Sequence, residues 1–85
     1  MCTAIAEKAT VSGFSKGNPE WIAVDTAYVT YDHPYHLPSE HALNIDFVNT
    51  AGGPGTRVAV ELTRESAFAL LQALQSALER SEGVD

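Results

Sequence analysis

WIAVDTAYVTY, residues 21–31, decides the fold. β-Branched and aromatic side chains dominate it, the types that suit a pleated surface and lose rotamer freedom in a helix. Reading with a period of two places Trp21, Ala23, Asp25, Ala27, Val29 and Tyr31 on one face and Ile22, Val24, Thr26, Tyr28 and Thr30 on the other. Apolar groups stand on both faces, so this strand is expected to be covered on both sides. In a small chain a second covered face points to another subunit, and a homodimer is the expectation.

On the N-terminal side, GFSKGNPE at 13–20 holds two glycines and a proline and reads as a turn or short loop. Before it, residues 2–12 alternate loosely, with Ile5, Ala9 and Val11 on one side and Cys2, Lys8 and Ser12 on the other, and read as a strand. On the C-terminal side, LNIDFVN at 43–49 is a third strand, with Leu43, Ile45 and Phe47 inward and Asn44, Asp46 and Val48 outward. TAGGPG at 50–55 is a turn, and TRVAVEL at 56–62 a fourth strand, with Val58, Val60 and Leu62 inward. Thr63 then caps a helix that carries Glu65 in its first turn and runs to about Arg80. Its apolar stripe is Ala67, Leu70, Leu71, Leu74, Ala77 and Leu78.

The order β, β, β, β, α predicts an α+β fold: a four-stranded antiparallel sheet with one C-terminal helix packed on one face, in a single domain over residues 1–85. The opposite face would carry Lys8, Asp46, Arg57 and Glu61 among small residues.

Composition narrows the function. A net charge of −6 disfavours nucleic acid and anionic membrane surfaces as partners. No apolar run is long enough to span a bilayer, and MCTAIAEK lacks the basic flank and apolar stretch of a signal peptide. With a single cysteine, Cys2, no intrachain disulfide can form, and a cytoplasmic location is expected. A core of this size is marginal unless packing, a metal or a partner subunit supports it.

The candidate site lies in DHPYHLPSEHALNID, residues 32–46, which holds all three histidines, His33, His36 and His41, and the acids Asp32, Glu40 and Asp46. Pro34 and Pro38 argue against helix there and bias His33 and Leu37 towards extended backbone. Imidazole is the commonest transition-metal ligand, and a thiolate adds strength. His33, His36 and His41 with Cys2 therefore form a candidate metal set, with zinc first and copper or iron next. Whether the chain is an enzyme stays open on residues alone. A metal-free alternative uses Glu40 and Asp46 with the histidines as acid–base groups or as a small-molecule site. A further alternative is a structural or regulatory homodimer. Asp32 beside His33 also fits plain turn chemistry, its carboxylate accepting backbone N–H groups.

Three segments carry a resemblance: MCTxIAEK at the start, DHPxH followed by EHALNIDFVN, and GPGxRVAVEL before the helix. They resemble a family of short bacterial proteins known as a domain of unknown function, and the likeness spans nearly the whole chain. It implies that Cys2, His33, His36, Glu40, His41 and Asp46 sit in the family's characteristic segments. It implies no reaction.

Overall fold

In the computed structural model, residues 5–17 and 20–84 are described. Strands β1 (Ile5–Lys16), β2 (Trp21–Asp32), β3 (Ala42–Val48) and β4 (Val58–Leu62) precede one helix, α1 (Arg64–Arg80). A short 3-10 turn, Pro54–Thr56, leads into β4. The sheet order is β1-β2-β3-β4 with every pair antiparallel, a meander.

Register assigns the faces, because residues directly opposite in a ladder point the same way. Tyr31, Leu43 and Leu62 form one row, Val29, Ile45 and Val60 the next, and Ala27, Phe47 and Val58 the third. This is the apolar face, and α1 lies on its side. The other face carries the rows Ala6, Thr30, Asn44, Glu61 and Lys8, Tyr28, Asp46, Ala59. Lys8 Nζ lies 5.9 Å from the Tyr28 ring centre there, a cation–π contact across the β1–β2 ladder.

The first strand corrects the expected boundary: β1 runs on through Gly13, Phe14 and Ser15 to Lys16, where sequence predicts a loop from residue 13. Thr10 pairs with Thr26 and Gly13 with Val24, so three steps along β1 match two along β2. That extra residue is a β-bulge, which breaks the period-two pattern without ending the strand. The tight return comes later, where the Gly17 N–H donates to the Glu20 carbonyl at 2.8 Å.

The helix begins where its cap requires. Thr63 has extended backbone and its Oγ1 accepts the Ser66 N–H at 3.1 Å, satisfying one of the helix's unpaired donors. Glu65 in the first turn and Arg80 in the last match the helix dipole.

The core is small. Among the described residues, Val24, Ala27 and Ala42 are the buried apolar ones, with Ala42 fully enclosed, and Thr26 is the buried polar one. Thr26 satisfies its hydroxyl by donating to Asp25 Oδ1 at 2.8 Å. The apolar stripe of α1 stays largely in the open: no residue of the helix is buried, and Leu74 and Leu78 are 54% and 69% exposed. The helix meets the sheet at β3 and β4, where Arg64, Ala67, Phe68 and Leu71 face Tyr31 and Leu43 across a cavity of about 250 Å³. It leans on the apolar face without roofing it.

Candidate functional site

The segment between β2 and β3 crosses the end of the sheet. Its hold comes from a residue of β4. Glu61 points from the polar face towards the loop, and its Oε2 accepts the Tyr35 N–H at 2.5 Å. Its Oε1 accepts the His36 N–H at 2.9 Å and the Leu37 N–H at 3.2 Å. Three consecutive amides on one carboxylate make an anion nest of the loop backbone. Hydrogen bonds to the charged form favour it, so the Glu61 carboxyl is held below its ordinary range, with the Tyr35 amide the largest cause. Alternation along β4 puts Glu61 on the outward face but carries no sign of this role, since its partners are 24 to 26 positions away.

Two of the three imidazoles meet. His33 and His41 stack with centroids 5.2 Å apart and planes 17° from parallel, and His41 stacks on Tyr31 at 5.6 Å and 13°. The pairing of Asp32 with Ala42 explains this, because it carries the residues one step further out to opposite sides of the same gap. His33 Nδ1 donates to the Glu40 carbonyl at 2.6 Å, and the His33 N–H donates to Asp32 Oδ1 at 2.7 Å. The latter is the turn chemistry that the Asp-His-Pro sequence suggests. Arg64 extends the column from the helix side, its Cζ 5.9 Å from the Tyr31 centroid and 5.2 Å from that of Phe68.

His36 stands apart from this stack, lining a shallow depression with Tyr35, Leu37, Ala59 and Glu61. Glu40 joins the cluster through its backbone carbonyl. Cys2 lies outside the described residues. Among the described residues no group of three or more His, Cys, Asp or Glu side chains converges on one point.

Asp46 sits on the polar face beneath the loop and binds Arg57, with Nη2 to Oδ2 at 2.6 Å. The carboxylate is the more enclosed partner, 17% exposed against 54% for the guanidinium. This hydrogen bond, and then the charge of Asp46, raise the affinity of Arg57 for its proton. Around the pair, Thr30, Asp32, His33, Tyr35, Asn44 and Glu61 border a cleft of about 280 Å³. The expected acid–base pair of Glu40 and Asp46 therefore divides: Asp46 faces the cleft in an ion pair, while Glu40 braces His33 through its main chain.

An antiparallel meander followed by one capped helix defines a small α+β protein. The chain belongs to a family of unknown function, DUF6295, whose model matches residues 1–84. No curated protein and no solved structure matches it.

Proposed function

We propose that this protein is a small-molecule-binding module whose site is the polar cleft between the histidine loop and the sheet. The observation that carries the reading is the convergence of Asp46, Arg57, Asn44 and Thr30 on a single space of about 280 Å³ under a loop tied down by Glu61. Ligand pockets typically measure roughly 300–1,000 Å³, so this cleft suits a molecule at the small end. Side-chain amide, hydroxyl, carboxylate and guanidinium groups line it beside Ala59 and Val60, which favours a small ligand that pairs an apolar part with groups that donate and accept hydrogen bonds. Asp46 is engaged by Arg57, and this supports binding over proton abstraction by that carboxylate. The working unit of the reading is a homodimer in the cytoplasm.

Amide chemical shifts of labelled protein, titrated separately with amino acids, hydroxy acids and sugars, test it. A saturable response centred on Thr30, Asn44 and Arg57, abolished by Arg57→Ala, is the expected result. Shifts confined to the helix, or none with any of the three classes, reject it.

A second reading has its own support. His33 donates Nδ1–H to a main-chain carbonyl, the arrangement that orients metal-bound histidines through their other ring nitrogen, and His41 is stacked beside it. A transition metal, zinc first and copper or iron next, would take these two imidazoles, with Cys2 and His36 as the candidates to complete its sphere. Elemental analysis of untagged protein decides this. Stoichiometric metal that is lost in the His33→Ala, His41→Ala double variant is expected. Substoichiometric metal in unmutated protein counts against it.

A further inference from the structure

The fold leaves two surfaces unfinished, and they are complementary. The sheet offers an apolar face on which Val58 and Val60 are exposed and Val29, Ile45 and Phe47 only half-buried. The helix offers an apolar stripe with no buried residue, Leu74 among its exposed members. Amphipathic helices of this length take most of their stability from the surface they pack on. Here that surface is missing along most of the stripe.

The magnitude of the deficit can be set against the size of the chain. A folded monomer of 9.1 kDa should expose about 4,900 Å² by the usual scaling of area with mass. This chain exposes 6744 Å², about 1,800 Å² more. Its radius of gyration is 14.5 Å, where about 12 Å is typical for this length. Obligate homodimers bury about 2,000–5,000 Å² in total, or about 1,000–2,500 Å² per subunit. The surplus falls inside that window.

We infer that the helix-side face is the interface of a two-fold homodimer, in which the α1 stripe of each subunit covers the open apolar face of the other's sheet. A second copy fits better than a foreign partner because one chain carries both halves of what is missing. Each copy has a stripe that its own sheet floors only near the start and an apolar face that its own helix only partly covers, and an isologous contact satisfies both at once. The cavity bounded by Tyr31, Leu43, Phe68 and Leu71 lies along the same seam. The polar cleft is on the opposite face, so this inference does not rest on the binding reading.

Sedimentation equilibrium of the full chain, with urea unfolding over a wide range of protein concentration, tests it. The expected results are a mass twice 9.1 kDa and an unfolding midpoint that climbs with concentration. Val60→Glu and Leu74→Glu, each on a side chain exposed in the single subunit, should abolish the dimer mass and lower helical circular dichroism. Arg57→Ala, on the polar face, should leave the dimer mass unchanged. A folded species of single-chain mass with a concentration-independent midpoint overturns the inference. So does full helicity in both glutamate variants at unchanged mass, and so does a trimer or larger closed ring.

Discussion

Glu61 shows how one side chain organises a segment far from it in sequence. The loop between β2 and β3 contains two prolines and little regular hydrogen bonding of its own, so three amides sharing one carboxylate set its path. The Glu61 carboxyl is held below its ordinary range, and the sign of the pH effect follows. A carboxylate whose folded pKa is depressed contributes stability that is complete above its unfolded pKa and is lost as pH falls through the folded one. Loop order should therefore persist at neutral pH and fade only on the acid side of the ordinary glutamate range. The amide shifts of Tyr35, His36 and Leu37, followed through an acid titration, should move together and report that transition. Glu61→Gln keeps the shape but removes the charge, and should raise hydrogen exchange at those three amides while leaving the centre of β2 protected. Asp25 offers a parallel case at the other end of the sheet. It accepts hydrogen bonds from Thr26 and Thr50, and its carboxyl is likewise held low, with the Thr26 hydroxyl the largest cause.

Among the elements, the helix and the first hairpin are where local chemistry is most exposed to test. Thr63 supplies the cap, and Thr63→Ala should cost about 1 kcal/mol, read from chemical denaturation. Gly17 closes the turn before β2, and a Cβ there would lie 2.6 Å from the Glu20 carbonyl oxygen. That oxygen belongs to the backbone, so Gly17→Ala must displace the turn and should lower the melting temperature. Ala42 opens β3 with no accessible surface. Ala42→Leu overpacks the point where the loop rejoins the sheet, and a loss of about 1–3 kcal/mol is expected on denaturation. The same substitution should perturb the ring stack, because Ala42 follows His41 directly.

For the whole molecule, no helix among the described residues is long and apolar enough to cross a membrane. The balance that matters is between apolar surface and charge. Each chain carries a formal charge of −6, so in the proposed dimer two copies would repel at long range while their apolar faces would attract at contact. Salt screens the first term within about 10 Å at 0.1 M and leaves the second largely intact. Self-association measured by sedimentation should accordingly tighten as ionic strength rises. An association held mainly by ion pairs would weaken under the same change.

Sequence alone determined the parts of this protein that depend on neighbours in the chain. Alternation in residues 21–31 declared β2, the inward Val58, Val60 and Leu62 declared β4, and Thr63 with Glu65 declared the start of α1, because each is a short-range preference repeated over several residues. Antiparallel order followed from short connections. Membership in an uncharacterised family was also legible, and the family match over residues 1–84 bears it out. Only the tertiary structure decided what depends on register and on distance. The bulge between Thr10 and Gly13 prolonged β1 through a glycine that otherwise reads as a stop. Pairing across the loop brought His33 to His41 and left His36 apart, a division invisible in three similar imidazoles on one short segment. Glu61 gained its role from amides 24 to 26 residues away, and the helix stripe, plain in the sequence, met the sheet near its start and left Leu74 and Leu78 exposed. The physical reason is common to all four: local pattern says which face of an element is apolar or charged, whereas only closure of the chain says what that face meets.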